Sequence, residues 1–174
     1  MAASIGKLES LAMAIKEQIE FTRVYQDLGS QEPKWHALDQ IISGLKVPAT
    51  LSLSADVPHV EIFADPILNK VFYNLLDNAA RHGQKVSTIT VLAQEVPEGL
   101  LILWEDNGVG IPADEKVKIF SKNYGKHTGL GLFLAHEILS ITGITIKETG
   151  EPGRGARFEI LVPTGSYRFT GGRK

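Results

Sequence analysis

The sequence predicts an α+β chain: a mixed sheet of several strands with helices on one face, preceded by one long helix. Three observations lead there. Apolar residues recur at steps of three and four over the first 28 residues, then at steps of two from Thr50 onward, and Gly or Pro punctuates the chain wherever the period changes. With 174 residues, 43% of them hydrophobic, the chain can bury one good-sized core but not two independent ones.

From Ser4 to Leu28, Ile5, Leu8, Ala12, Ile15 and Ile19 form a narrow heptad-like seam with Lys, Glu and Gln between them, and Gly29 stops the helix. Such a seam either folds back on its own domain or packs on a partner helix. After the break at Gly29 to Pro33, Trp35 to Leu45 reads as a second helix that leaves at Gly44. Leu51 and Leu53, then Val60, Ile62 and Ala64, alternate as two short strands. Asp65 followed by Pro66 reads as a helix N-cap with proline at the first helical position, opening a helix to about His82 that Gly83 ends. Val86 to Ala93 and Leu100 to Glu105 form a hairpin across Pro97-Glu98-Gly99. Gly129 to Thr142 is helical and closed by Gly143; Ile144 to Glu148 and Arg157 to Val162 form the last hairpin, turning at Gly150 to Gly155. The polar tail from Gly165 to Lys174 is expected to be loose.

Composition removes several function classes. The net charge is -2, from 18 basic and 20 acidic residues, and no dense Lys/Arg run could neutralise a row of phosphates, so polymeric nucleic acid is not expected as a partner. Cysteine is absent, which excludes disulfides, thiolate catalysis and Cys-based zinc sites. The first eleven residues have no apolar signal-peptide core, and no window holds about 18 uninterrupted apolar residues, so no membrane contact is expected of this stretch.

Three constellations can carry chemistry. In Asn74-Leu75-Leu76-Asp77-Asn78-Ala79-Ala80-Arg81-His82, helical spacing puts Asn74, Asn78 and His82 on one face while Leu75 and Leu76 point to the core. An amide oxygen is a neutral hard ligand suited to a magnesium ion that takes its charge balance from phosphates, which makes Asn78 the candidate metal ligand; two asparagines late in a helix also read as solvent-facing or capping residues. In Glu105-Asp106-Asn107-Gly108-Val109-Gly110-Ile111-Pro112, a carboxylate leaving an apolar strand can accept from an exocyclic amine such as adenine's, and Gly108 and Gly110 let the backbone lie close to a base; Asp-Asn-Gly is equally a good turn. In Gly125-Lys126-His127-Thr128-Gly129-Leu130-Gly131-Leu132, glycines at a helix start expose N–H groups to an anion at the positive end of the dipole, with Lys126 adding charge; read alone, the glycines are a loop hinge. Neither a Walker A loop nor a Rossmann fingerprint is present.

In this order the three segments closely resemble the N, G1 and G2 boxes of the sensor histidine kinase catalytic domain, over roughly Val47 to Pro163, and Ile119-Phe120 resembles its F box. The resemblance implies a two-layer α/β sandwich binding ATP and Mg2+, with Asn78 on the metal and Asn74 beside it, and Asp106 on the adenine amine. Gly108, Gly110, Ile111, Thr128, Gly129, Leu130, Gly131 and Leu132 would shape the pocket, with Lys126 at the triphosphate. Arg81 falls where the family carries a basic residue near the phosphates, and His82 where an aromatic or His is common. Two departures concern the lid: Phe120 to Gly129 is short for the family, and Asn123-Tyr124 replaces the usual Pro-Phe. Gyrase-like and MutL-like ATPases of the same superfamily usually place a Glu where this chain has Asn74, and an amide cannot be a general base.

The implied activity is protein-histidine kinase: ATP's γ-phosphate passes to a histidine and thence to an aspartate on a response-regulator receiver domain. The alternatives are an ATPase of the same superfamily and a non-catalytic nucleotide-binding or dimerisation module. No segment resembles the family's acceptor box; the His136-Glu137 pair lies within the post-glycine helix and reads as packing or surface. Residues 1–30 resemble the second helix of a dimerisation hairpin, 31–164 the ATP-binding domain, and 165–174 the tail. The expectation is therefore a fragment truncated at its amino end, without catalytic residues of its own beyond the nucleotide site. It would be homodimeric in full-length form through the N-terminal helix, and cytoplasmic, alone or as the cytoplasmic part of a membrane-bound sensor.

Overall fold

The computed structural model describes residues 2–122, 124 and 130–171. Helix α1 (Ala2–Asp27) leads into β1 (Lys34–Ala37), α2 (Leu38–Ser43), β2 (Ser52–Asp56), β3 (Val60–Ala64) and α3 (Asn69–His82). There follow β4 (Thr88–Val96), β5 (Gly99–Asp106), a 3-10 turn (Lys118–Phe120), α4 (Gly131–Ser140), β6 (Thr145–Glu148), β7 (Arg157–Pro163) and β8 (Tyr167–Phe169).

The main sheet has the order β2-β4-β5-β7-β6. Only β2 runs parallel to its neighbour β4; the other pairs are antiparallel. Its centre is β5, where Leu100, Ile102 and Trp104 are fully buried, and Phe72 of α3 packs its ring 6.3 Å from that of Trp104. The buried face of α3 (Val71, Phe72, Leu75, Leu76, Ala79) and that of α4 (Leu134, Ala135, Ile138, Leu139) lie in one core with the alternate residues of β7. That single core is what holds the two site-bearing helices rigidly beside the end of β5.

A second, antiparallel sheet of order β1-β3-β8 corrects two expectations. Trp35 to Leu45 is not one helix: Lys34–Ala37 pairs with β3, Trp35 rests its ring 5.3 Å from Phe63, and only Leu38–Ser43 is helical. Aromatic and apolar cross-strand pairing overrode a weak local helical pattern, as tertiary contacts routinely do. Nor is the whole tail loose. Tyr167–Phe169 is the third strand of this sheet, and Arg168 pairs with Glu61 at 2.6 Å while stacking on Trp35.

Asp65 also differs from its expected role. Helix α3 begins at Asn69, and the Asp65 carboxylate instead accepts from Ile67 N–H in the preceding turn and from Gly29 N–H just beyond α1, both at 3.0 Å. The Ile5 to Ile19 face of α1 points away from the domain: Ile5, Leu8, Ile15 and Ile19 are 54 to 66% exposed, whereas Phe21 and Val24 are buried. Among the described residues, no helix is long and apolar enough to cross a membrane.

Candidate nucleotide site

The three constellations meet at one cleft of about 880 Å³, within the range of small-molecule sites. Asn74, Asn78, Arg81 and His82 line it from α3, Asp106, Gly110 and Ile111 from the turn after β5, and Leu130, Gly131 and Leu132 from the start of α4. Gly108 packs behind that wall, against the end of α3. Lys126, Thr128 and Gly129, together with Asn123 and His127, lie outside the described residues.

The turn after β5 is fixed by its own carboxylate. Asp106 Oδ1 accepts from Gly108 N–H at 2.9 Å and from Ala156 N–H at 3.1 Å, while Val109 N–H donates to the Gly83 carbonyl at the end of α3. A Cβ on Gly108 would sit 2.3 Å from the Gly83 oxygen, so glycine is required for the turn to lie against α3. Asp106 is 8% exposed and lines the cleft. Burial pushes its carboxyl above its ordinary value, with the Glu148 charge adding to the rise and the Gly108 and Ala156 hydrogen bonds opposing it. A carboxylate with one oxygen satisfied by backbone keeps the lone pairs of the other for a donor in the cleft.

Asn74 donates its amide to the Gly131 carbonyl at 2.9 Å, tying α3 to the start of α4. That bond uses one of the two amide N–H donors, and the amide oxygen is the atom that could ligate a cation. Among the described residues, no cluster of three His, Cys, Asp or Glu side chains could hold a metal ion. A divalent cation in this cleft would take an amide oxygen from α3 and the rest of its ligands from phosphates and water, which suits Mg2+.

Arg81 is more constrained than the sequence suggests. Its Nη1 donates to Glu17 of α1 at 2.7 Å and its Nε to Asp77 at 3.0 Å. The Glu17 hydrogen bond is the main reason its guanidinium is held above the ordinary value, with burial opposing and Asp77 adding to the rise. Sequence reasoning missed this wall altogether: Glu17, Phe21 and Val24 of α1 line the cleft, Phe21 lies 6.1 Å from Phe133 of α4, and Glu20 pairs with Lys70 at 3.5 Å. The signal was available, since Glu17, Phe21 and Val24 recur at four and three residues as a second stripe, off the Ile5 to Ile19 seam.

Comparisons with known proteins bear on the family and the fold. The profile of the family "Histidine kinase-, DNA gyrase B-, and HSP90-like ATPase" matches residues 64–166, more than half of the chain. The alginate biosynthesis sensor protein KinB of Pseudomonas aeruginosa is 36% identical over 123 residues, 68% of this chain and 20% of KinB. The sensor histidine kinase ZraS of Escherichia coli O157:H7 is 38% identical over 112 residues, 62% of this chain and 24% of ZraS. This chain thus spans about a fifth to a quarter of those relatives. The crystal structure of the ATP binding domain of PrrB from Mycobacterium tuberculosis has the same fold, with a TM-score of 0.64 at 23% identity over 76% of this chain and 98% of that one. The expected mixed sandwich behind a long helix and the expected resemblance are both met, and the chain belongs to the family of histidine kinase-, DNA gyrase B- and HSP90-like ATPases.

Proposed function

We propose that the cleft binds ATP with Mg2+ and that the chain is the catalytic domain of a two-component sensor histidine kinase, passing the γ-phosphoryl group to a histidine outside this chain and thence to a response-regulator aspartate. The observation that carries this reading is the convergence of Asp106, the Asn74–Asn78 face and the glycine-rich start of α4 on one cleft. Asp106 accepts the adenine amine with the oxygen its backbone partners leave free. Asn78 would ligate the metal with Asn74 beside it and Arg81 and His82 toward the phosphates; the phosphate roles of Lys126 and Thr128 rest on the resemblance alone, since both lie outside the described residues. Gly110 and Ile111 close on the base with Gly108 backing their turn, and Leu130, Gly131 and Leu132, which follow Gly129, supply N–H groups and an apolar wall.

Transfer rather than hydrolysis is favoured by Asn74, whose amide is bonded to Gly131 and has no basicity with which to activate water. The exposed seam of Ile5, Leu8, Ile15 and Ile19 supports reading residues 1–30 as the second helix of a dimerisation hairpin, through which the full-length protein forms a homodimer on the cytoplasmic side. Residues 31–164 then form the ATP-binding domain. Among the described histidines, His59 is paired with Asp39 and His136 with its neighbour Glu137, and neither lines the cleft.

Binding of a fluorescent ATP analogue tests the reading. Affinity should rise with millimolar Mg2+ in the wild type and lose that dependence in Asn78→Ala. The chain should show neither steady phosphate release nor an acid-labile, alkali-stable phosphoprotein with labelled ATP. Phosphate release abolished by Asn78→Ala would make the protein an ATPase. Absence of nucleotide binding would leave a non-catalytic module.

A further inference from the structure

Glu148, at the end of β6, has a side chain with no solvent exposure, and nothing in the nucleotide reading uses it. Its Oε1 accepts from Gly150 N–H at 2.9 Å and from Arg157 N–H at 3.0 Å, so one carboxylate oxygen pins both ends of the β6–β7 loop. Its Oε2 is held by the Lys116 ammonium, which also donates to the Gly150 carbonyl. Lys116 comes from the segment after Pro112, so three stretches of chain meet on this one buried group.

The loop so pinned is the one that holds Asp106. Ala156 N–H donates to Asp106 Oδ1, Asp106 N–H donates to the Ala156 carbonyl at 3.0 Å, and Gly153 N–H donates to the Val109 carbonyl at 2.7 Å. Gly155 presses so closely on the Asp106 carbonyl that a Cβ there would lie 1.8 Å from the oxygen. The loop therefore has little freedom to shift without carrying Asp106 with it. A buried carboxylate bound to two backbone N–H groups and an ammonium costs about as much to desolvate as it gains, so stability alone is weak reason for placing it here. Orientation of a recognition group is a better one.

We propose that Glu148, held by Lys116, is a positioning residue for the adenine end of the cleft, fixing the Asp106 carboxylate through the Gly150–Arg157 loop. The inference rests on the reading of Asp106 as the adenine-amine acceptor. It extends the base-reading machinery to two residues that do not line the cleft. It also has an electrostatic side: among the described residues, Glu148 is the charged group that acts on Asp106, and Lys116 is the cation that balances it.

The test measures ADP and IDP affinities by calorimetry, with melting temperatures alongside, because IDP has a 6-oxo group where ADP has the amine. The wild type should favour ADP by at least about tenfold, and Asp106→Asn should abolish that preference. If Asp106→Asn keeps the preference, the adenine reading itself fails, whatever Glu148 does. Given that control, Glu148→Leu should lose most of the preference while IDP affinity stays within about twofold, and Glu148→Gln, whose amide oxygen can still accept from Gly150 and Arg157, should restore it. Should Glu148→Leu not fold, Lys116→Met is the working variant, with a partial loss expected.

The pH profile of ADP affinity separates positioning from mere stability. Its acid-side fall should move to lower pH in Glu148→Gln, where the negative neighbour is gone, and to higher pH in Lys116→Met, where that neighbour is uncompensated. The titration of the phosphates is common to all variants and cancels. Wild-type ADP/IDP ratios in both Glu148→Leu and Lys116→Met, or an acid-side fall moving the same way in Glu148→Gln and Lys116→Met, would overturn the proposal.

Discussion

Replacing Asp106 by Asn should weaken adenine nucleotide binding while making the protein harder to melt. The amide oxygen of the introduced asparagine can keep the two backbone hydrogen bonds from Gly108 and Ala156, so the turn is retained. What changes is the group facing the cleft: an NH2 replaces a carboxylate oxygen and meets the adenine amine donor to donor. Losing a charge-assisted hydrogen bond costs roughly 1 to 3 kcal/mol, or about 5- to 150-fold in Kd. Stability moves the other way. Burial raises the Asp106 carboxyl above its unfolded value, so its favourable contribution is complete below that value and is lost as pH rises through the folded one; at neutral pH the ionised group is a standing cost. An amide has no such cost, and its NH2 can bind water in the open cleft. Calorimetric titration with ADP and a thermal melt at pH 7 and pH 4 provide the assay. Unchanged affinity would remove Asp106 from base recognition, and a melting temperature that falls equally at both pH values would refute the electrostatic argument.

Glu17→Gln should free the Nη1 end of Arg81, whose Nε stays with Asp77, and raise ATP affinity by up to about fivefold, the scale of a partly exposed ion pair, with the gain fading at high salt; titration at two ionic strengths measures it. Gly155→Ala should cost at least about 3 kcal/mol, since φ is +118° and the new Cβ would collide with the Asp106 carbonyl, and a denaturant midpoint reports it. His36 is depressed by burial, against the opposing hydrogen bond to the Ala64 carbonyl. Its contribution is present above pH 6.5 and lost as pH falls through the folded value, so His36→Gln should flatten the acid-side loss of stability between pH 7 and pH 5 in urea titrations.

The cleft was legible in the sequence because its parts are local. An asparagine face repeats at helical spacing, a carboxylate ends an apolar strand, and glycines open a helix, so each segment carries its own signal and the fold brings them together. The small sheet was not legible. Trp35 and His36 are strand residues only because β3 lies beside them, and Tyr167 to Phe169 show no strand pattern of their own until Val60 and Ile62 offer a partner edge. Non-local pairing of three- and four-residue strands leaves no period to read. The α1 wall was missed because the Ile5 to Ile19 seam is longer than the Glu17–Phe21–Val24 stripe and captured the reading of the helix. Lys116 and Glu148 were unreadable, since nothing in either neighbourhood marks a charge as buried.

Asp65 gives the molecule a mechanical property. One carboxylate grips Gly29, where the chain bends with φ at +70° after α1, and the turn that launches the asparagine helix. Through this one side chain the end of α1 and the turn before α3 are tied together, so the angle at which the long helix leaves the domain is coupled to the placement of the helix that carries Asn74 and Asn78.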